Sequence, residues 1–508
     1  MKVPTFNVTR PSTLWLDVDS GHYMTDEGRA VRHDGRPVTL AVVLGYAELV
    51  GAERVMLTGS TVAREWLLTT VPGWRHGSHH LDHETPTGRY VSERDDQRKV
   101  EVRRAAEWFG AGDYTPREAA TAETMTRALL YPKGGNLWKS PGATGLDLWL
   151  RASRDQPEPL PLDVQEELRT TSPQHRIERY PTNDVYGDTM PGVWVMDGRW
   201  MYAALTKGLG VGPVTRLTGA QAREAFERDP YARARYRVTW RADATWRDLP
   251  ALPGLLMARA GENVHDGWHA PREGTAWVDA SEAYVAVSYG WSLDFHEGLM
   301  FTPGRPLDTW TKRLVDAREA VLPPAPERTR EDVVHRMVRA AVRATMLYAI
   351  GSFHASGADE TTVTASPMTP PPGEGWGAPE RLDDGGSLWR RRSNRPNARA
   401  DSMRHPEWSS QVWGRAHARM IDCPTGVKSQ PGGMLHAPYG ALVGIYGDAL
   451  MLAARPSWAD LDDGRVGRLR VKGHLCGPVP WPTSARERDV LTHAAEAAGT
   501  TCNGGCTR

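Results

Sequence analysis

The chain has 508 residues, of which 40% are hydrophobic and 20 are tryptophans, so its composition is that of a large folded protein and excludes a disordered one. Lysine plus arginine and aspartate plus glutamate number 62 each, and this zero net charge excludes a uniformly basic surface but not a local basic groove. No apolar run has the length of a membrane span and the sequence begins without a signal-peptide pattern, so we expect a cytoplasmic protein with no membrane partner.

The first predicted unit, residues 1–131, has an α/β pattern. Its first strand ends in Asp17-x-Asp19, and a helix over 40–50 and a second strand over 54–59 follow. Side chains two positions apart project from the same face of a strand, so Asp17 and Asp19 are candidates to share a metal ion. A solvated strand end explains the same pattern.

A second pair of candidate residues lies near the start of the next helix. Tyr114 and Glu118 are four positions apart, which places them on one face of a helix predicted to continue to Leu130. Proline and glycine then become frequent and the motif content changes, so we interpret residues 132–192 as a linker and hinge region.

Two acids far apart in the sequence end apolar runs. Asp197 ends a short predicted strand, and the chain then turns into a helical stretch that includes Tyr202. Asp448 stands at a glycine-containing bend between two apolar runs. Each acid alone is explained as a turn residue. Together, on adjacent buried strands, they predict a site for two divalent cations.

The region between these acids carries arginine-rich helices. Two helices on either side of a proline-rich turn, within 302–357, predict an antiparallel hairpin whose arginines bind a triphosphate, because arginine pairs with phosphate in bidentate fashion. A solvated charged face is the alternative. Residues 358–400 are predicted to form a long loop. A helix over 406–420, the Asp448 hairpin, a basic strand over 467–474 and a final helix complete the chain.

The cysteines are not arranged in CxxC pairs, and a zinc site at the last two would have to recruit distant partners. We therefore expect free thiols in a reducing cytoplasm. The four positions are Cys423, Cys476, Cys502 and Cys506.

In this order, the motifs resemble those of the protein-primed branch of family B DNA polymerases, found in phages and linear plasmids. The segment from Asp197 to Tyr202 is similar to the first palm motif, whose acid binds metal and whose tyrosine contacts the sugar of the incoming nucleotide. The segment from Tyr446 to Leu450 is similar to the second acidic motif. Either Asp448 matches its first acid and Leu450 replaces the metal-binding second, or Tyr446 replaces the first and Asp448 is the second; we adopt the second alignment.

The fingers and primer motifs are matched in the same way. The segment from Arg343 onward resembles the fingers motif, with arginine for lysine and with Leu347 and Ile350 in place of asparagine and tyrosine. Arg318 stands where a triphosphate-binding lysine is expected, so nucleotide binding is implied for Arg318 and Arg343. Residues 472–474 are similar to the Lys-x-Tyr motif that holds the primer end. Primer or DNA contacts are implied for Lys472, Tyr446 and Arg415.

The N-terminal unit resembles the RNase H-like 3′–5′ exonuclease domain of the same family. Asp17-x-Asp19 falls where Asp-x-Glu is expected, and Tyr114 and Glu118 fall where Tyr-x-x-x-Asp is expected. The middle motif should supply another acid, but Val62 stands there. The resemblance therefore implies the domain with an incomplete set of catalytic acids.

The resemblance implies a multidomain α/β and α+β fold with a right-hand polymerase arrangement. The activity implied is the addition of deoxynucleotides to a primer 3′-hydroxyl, with Mg²⁺ or Mn²⁺ held by Asp197 and Asp448. The partners implied are primer-template DNA, deoxynucleoside triphosphates and a priming terminal protein, in phage, plasmid or nucleoid replication. The implied domains are exonuclease-like (1–131), linker and hinge (132–192), first palm part (193–301), fingers (302–357), second palm part (358–475, with the loop 358–400) and short thumb and tail (476–508).

Two other functions compete with polymerisation. A catalytically weakened or inactive relative that binds nucleic acid in replication or telomere maintenance is favoured by the substitutions near Asp448 and in the fingers motif. A primase site built from Asp17, Asp19 and the histidines at 79 and 80 is the third hypothesis, although the spacing of these residues fits it poorly.

Overall fold

The computed structural model describes residues 12–25, 28, 30–31, 38–77, 79, 86–153, 156–172, 177–179, 186–241, 273–321, 330–355, 359–364, 375–381, 387–392, 402–482 and 485–500. The chain forms two compact units, residues 1–154 with 312–403 and residues 155–311 with 404–508. The finer division into exonuclease-like, palm, fingers and thumb domains stays a prediction.

The helices of the structure include all those predicted above, and further ones. They are α1 (Leu40–Val50), α2 (Arg64–Leu68), α3 (Ala106–Phe109), α4 (Pro116–Leu130), α5 (Pro141–Ala152), α6 (Leu162–Thr171), α7 (Met201–Leu205), α8 (Gly219–Arg228), α9 (Ala280–Ser288), α10 (Asp308–Glu319), α11 (Arg330–His354), α12 (Pro406–Ile421) and α13 (Ala485–Ala498).

The strands form four sheets. They are β1 (Thr13–Asp17), β2 (Tyr23–Thr25), β3 (Ala30–Val31), β4 (Arg54–Thr58), β5 (Trp74–His76), β6 (Gly88–Ser92), β7 (Lys99–Arg104), β8 (Ile177–Arg179), β9 (Thr189–Gly198), β10 (Gly210–Thr218), β11 (Ala234–Arg241), β12 (Glu273–Asp279), β13 (Ser292–Pro303), β14 (Asp359–Thr364), β15 (Glu380–Arg381), β16 (Ser387–Arg392), β17 (Leu442–Tyr446), β18 (Ala449–Leu452) and β19 (Leu469–Pro480).

The first unit is built on a seven-stranded sheet of order β3-β2-β1-β4-β7-β6-β5, which confirms the predicted α/β pattern. Its central strands β1, β4 and β7 are parallel to one another. Helix α1 follows β1, β2 and β3 in the chain and precedes β4. The residues of α1 that are buried recur at helical spacing, so one face of the helix packs on the sheet. They are Leu40, Val43, Leu44 and Ala47.

The long helix α11 also belongs to this unit. It packs extensively against α3, α4 and α5, whereas the sequence predicts that it pairs with α10. Gly145 of α5 permits this approach, because a Cβ there would lie 2.5 Å from the Cβ of Ala349. Residues 132–192, the predicted linker and hinge region, contain α5, α6, β8 and the start of β9, and their role as a linker stays a prediction.

The predicted long loop over 358–400 is wrong where the structure describes it. β14, β15 and β16 form a three-stranded antiparallel sheet of order β14-β16-β15. Leu388 and Trp389 of β16 are buried, and Leu388 joins the hydrophobic core of the seven-stranded sheet. Burial of these two side chains outweighs the loop-forming composition around them.

The second unit contains a four-stranded antiparallel sheet, β10-β13-β11-β12, and a five-stranded sheet, β19-β9-β18-β17-β8. Helix α12 makes polar contacts with the four-stranded sheet and with α9, and the residues that form these contacts are all buried. Gln411 Oε1 accepts a hydrogen bond from the N–H of Gly210 (2.8 Å), and His417 Nδ1 lies 3.0 Å from a Glu282 carboxylate oxygen. These contacts fix α12 beside β10 and α9, two elements that follow Asp197 in the chain.

The described residues test the expectations about membrane-spanning segments and about free cysteine thiols. No described helix combines the length and the apolar character needed to cross a bilayer. Cys423 is a free, buried thiol as predicted, but Cys476 is disulfide-bonded, so the expectation of a free thiol is wrong there.

Candidate functional site

Asp197 lies at the end of β9 and is buried, with 5% of its surface exposed. The chain then turns through Trp200, whose φ of 48° is left-handed, and enters α7. Gly198 permits this sharp path, because a Cβ there would lie 2.7 Å from the Cβ of Met201. The predicted order of strand, acid and short helix is confirmed.

The neighbours of Asp197 on both sides are fixed by strand register. Ala449 of β18 and Arg470 of β19 lie directly opposite it. Directly opposed residues project from the same face of an antiparallel sheet, so the side chains of Ala449 and Arg470 flank the carboxylate. Arg470 Nη2 lies 3.5 Å from Asp197 Oδ2.

The face of the sheet that carries Asp197 also carries an apolar cluster. Val193 and Val195 alternate with the same period as Asp197 and pack with Met451, Trp481 and Ala495. Since Ala495 belongs to α13, the C-terminal helix covers part of this face. Asp197 is therefore at the margin of a covered surface.

Asp448 lies in the two-residue turn between β17 and β18, opposite Gly198. The N–H of Gly198 donates to the carbonyl of Asp448 (2.9 Å), and Asp448 Oδ2 lies 3.2 Å from where a Gly198 Cβ would be. Gly198 and Asp197 are consecutive, so their Cβ directions belong to opposite faces. The register therefore does not support joint coordination of metal by Asp197 and Asp448.

The alternative positions in the second acidic motif supply no acid either. Leu450 is buried opposite Met196, and Ala449 occupies the place beside Asp197. The backbone of Tyr446 pairs with Ala449, and its side chain lies outside the described part. Among the described residues no group of three or more histidine, cysteine or acidic side chains could hold a metal. Metal binding by Asp197 and Asp448 therefore stays a prediction.

Tyr202 lies in α7, half-buried, and the end of this helix is held by Arg415 of α12. Arg415 Nη1 donates to the carbonyls of Leu205 (2.9 Å) and Lys207 (2.8 Å), and Nη2 donates to that of Gly208 (3.1 Å). Burial lowers the pKa of Arg415, and the nearby Asp279 carboxylate opposes this shift. These contacts give Arg415 a structural role at α7, and its contact with DNA stays a prediction.

Lys472 lies at a bulge of β19, between Val471 and Gly473. Its Nζ is 2.7 Å from Glu496 Oε1 of α13. His474, which takes the place of the motif's tyrosine, is buried and stacks on Trp194 with ring centroids 4.4 Å apart. The Lys-x-His segment therefore binds the C-terminal helix and the sheet, and its contact with a primer stays a prediction.

The two predicted triphosphate-binding arginines lie in the first unit. Arg318 is half-buried in the last turn of α10, and Arg343 is exposed on α11. Their binding of a nucleotide stays a prediction.

Asp17 and Asp19 lie beside the end of β4. Asp17 Oδ1 accepts hydrogen bonds from the N–H and hydroxyl of Ser20, and Asp19 Oδ2 accepts one from the N–H of Ser60 (2.8 Å). A Cβ on Gly59 would lie 3.0 Å from Asp17 Oδ2 and 2.6 Å from Asp19 Oδ2. The two carboxylates thus face the same small space, although Asp19 lies in the turn after β1 and not in the strand, and metal binding by the pair stays a prediction.

Tyr114 and Glu118 do not add a described contact to this pair. Glu118 Oε2 accepts from the N–H (2.7 Å) and hydroxyl (2.9 Å) of Thr115, and so forms the capping box of α4. Tyr114 is buried, its hydroxyl donates to the carbonyl of Gly110 (3.0 Å), and burial raises its pKa. The pattern Thr115-x-x-Glu118 is itself a sequence signal for this cap.

Arg470 is the site residue that sequence reasoning missed. The motif comparison singles out only Lys472 in the basic strand, because the motif starts there. The alternation of Arg468, Arg470 and Lys472 is a visible signal, but only the register of β19 against β9 shows which of them meets Asp197.

No protein-family model matches the chain, and no curated protein matches its sequence. Solved structures do match it. Phi29 DNA polymerase in a ternary complex with primer-template DNA and incoming nucleotide substrates aligns with a TM-score of 0.54 and 11% identity, covering 92% of this chain and 85% of that one. The same polymerase bound to single-stranded DNA aligns with a TM-score of 0.52 and 12% identity, over the same shares. The chain thus has a mixed α/β multidomain fold similar to that of Phi29 DNA polymerase over most of its length, at an identity that indicates a distant relationship.

Proposed function

We propose that the chain is a polymerase-like protein that binds primer-template DNA and in which nucleotide addition is weakened or lost. The observation that carries this choice is the register around Asp197. Its two flanking side chains are Ala449 and Arg470, where two-metal chemistry requires a second carboxylate.

Nucleic-acid binding is supported by the fold and by charge. Phi29 DNA polymerase, to which the fold is similar, has been solved with primer-template DNA and with single-stranded DNA. Strand β19 presents Arg470 and Lys472, both partly exposed, beside the predicted palm motif. Lysine and arginine that neutralise phosphates supply most of the sequence-independent affinity for DNA.

Active template-directed polymerisation is the second candidate. It is favoured by Asp197, which ends its strand directly before α7 and Tyr202 as the first palm motif requires. It requires the Asp448 carboxylate to reach the face of Asp197 when DNA and nucleotide bind.

One preparation tests both candidates. We expect a fluorescent primer-template duplex to bind the purified protein with a salt-dependent affinity, measured by anisotropy, while extension of the primer with deoxynucleotides and Mg²⁺ or Mn²⁺ is absent or slow. Efficient extension that Asp197→Asn abolishes would overturn the proposal in favour of active polymerisation. If neither binding nor extension is detected, both candidates are wrong.

A matched pair of variants sharpens the result. Asp197→Asn and Asp448→Asn each remove one charge without changing side-chain size. If residual extension depends on both acids, it arises from the predicted two-acid site; dependence on Asp197 alone indicates another arrangement of ligands.

A further inference from the structure

Asp197 and Arg470 form an ion pair at the end of the β9–β19 ladder. Arg470 Nη2 lies 3.5 Å from Asp197 Oδ2, and the side chains are 40% (Arg470) and 8% (Asp197) exposed. The pairing is fixed by backbone register, since the two residues are direct cross-strand partners. The register therefore places Arg470 next to Asp197, with its guanidinium within reach of the carboxylate.

The surroundings make a counter-charge necessary. The other cross-strand partner of Asp197 is Ala449, and Val195 on the same face belongs to an apolar cluster. A buried carboxylate is costly unless it is paired or hydrogen-bonded, and Arg470 is the cation that lies beside this one.

We propose that Arg470 is the resident counter-cation of Asp197 and keeps divalent metal away from it. A guanidinium a few ångströms from the carboxylate repels a second cation from the same oxygen atoms. Resting on the proposed function, this means that the protein binds DNA without needing Mg²⁺ or Mn²⁺. The acid of the first palm motif is retained as half of a structural ion pair.

The test uses the full chain with Arg470→Gln, Asp197→Asn and the double variant. Mn²⁺ binding is followed by electron paramagnetic resonance and thermal unfolding by fluorescence, with and without Mn²⁺. We expect the unchanged protein to show no Mn²⁺ binding that depends on Asp197. Arg470→Gln should melt at a lower temperature, bind Mn²⁺ at least roughly tenfold more tightly, and regain melting temperature when Mn²⁺ is added.

The double variant should lose the gained Mn²⁺ site, because the carboxylate that holds it is gone. Arg465→Gln is the matched control: the Arg465 side chain is 76% exposed, so solvent screens its pair with Asp463, and the variant should behave like the unchanged protein. Asp197-dependent Mn²⁺ binding in the unchanged protein would overturn the proposal. So would an Arg470→Gln variant that melts normally and binds no more Mn²⁺.

The DNA arm separates this inference from the function on which it rests. Anisotropy with the labelled duplex should give the same affinity in EDTA and in Mg²⁺ at matched ionic strength. Binding that needs Mg²⁺ contradicts the role of Arg470. Absence of DNA binding in either buffer contradicts the proposed function. The Mn²⁺ and melting results still decide whether Arg470 keeps divalent metal away from Asp197.

Discussion

Lys472 Nζ lies 2.7 Å from Glu496 Oε1, so the residue predicted to hold a primer end is joined to the C-terminal helix. Both side chains are partly exposed, and such a pair contributes less than about 1 kcal/mol to stability. We expect Glu496→Gln to leave the melting temperature nearly unchanged but to free Lys472 for phosphate. The affinity for duplex DNA should rise a few-fold, and its salt dependence should steepen by about one counterion.

The control for this prediction is Glu93→Gln, which makes the same charge change at an exposed position of the first unit. It should alter neither the affinity nor its dependence on salt. Equal effects of the two variants would mean that net charge, and not release of Lys472, determines binding.

Gly414→Ala should destabilise the second unit. Gly414 of α12 faces the start of α9, where an added Cβ would lie 2.2 Å from the Cβ of Asp279. Backbone and buried side chains must shift to accept it, so we expect a loss of about 1 to 3 kcal/mol in the free energy of unfolding, measured by urea denaturation. Gly45→Ala is the matched control, because nothing lies within 4 Å of its added Cβ in α1. That variant should be stabilised by about 0.5 to 1 kcal/mol.

Acid should weaken the first unit through Glu101. Burial alone would raise the pKa of Glu101, but the charges of Arg103 and Arg89 and a hydrogen bond from Arg103 lower it to about 2 from 4.5. A lowered folded-state pKa stabilises the protein above pH 4.5, and this contribution is lost as the pH falls from there towards 2.

Glu101→Gln should therefore lose on the order of 2 to 3 kcal/mol at pH 7, and its stability should fall less steeply than that of the unchanged protein between pH 5 and about 3. Urea denaturation across this range measures both effects. Asp96→Asn, which removes an exposed pair with Arg75, serves as the control and should have no measurable effect. Parallel acid profiles for Glu101→Gln and the unchanged protein would contradict the assignment.

The N-terminal unit should not shorten DNA. Asp17 and Asp19 converge at Gly59, but Glu118 is bound in its capping box and Val62 is part of the core. A labelled single-stranded oligonucleotide with Mg²⁺ should keep its 3′ end intact. Shortening that Asp17→Ala abolishes would show that a working nuclease site forms. Glu118→Ala should cost about 1 kcal/mol of stability, as loss of a cap does, with no effect on the oligonucleotide.

Local sequence patterns predict the elements that carry the site. The apolar run before Asp197, the helix from Pro406 and the strand pair around Asp448 all depend on short-range periodicity and on turn residues, and all are present. Asp17 and Asp19 also converge, but Asp19 lies in the turn after β1 and not in the strand, so the predicted strand alternation is not what brings them together.

The register between two strands cannot be predicted from such local patterns. Whether Asp197 meets Ala449, Asp448 or Leu450 depends on how β18 aligns with β9, and a shift of one residue exchanges the faces. The small sheet of β14 to β16 escapes prediction for a related reason. Its stability comes from the packing of Leu388 into the hydrophobic core formed by β1 and β4. These strands are more than 300 residues away in the sequence, so the local sequence around Leu388 does not reveal the contact.

The two neighbours of β9 come from the last eighth of the chain, and about half of its length separates them from Asp197. During synthesis β9 leaves the ribosome long before either partner exists. Until they are made, the apolar side chains of β9 are exposed to solvent or bound by a chaperone, since non-local strand pairing of this kind is slow. Any truncation that removes β19 would leave β9 without one flank, and production of the protein in cells should depend strongly on an intact C-terminal segment.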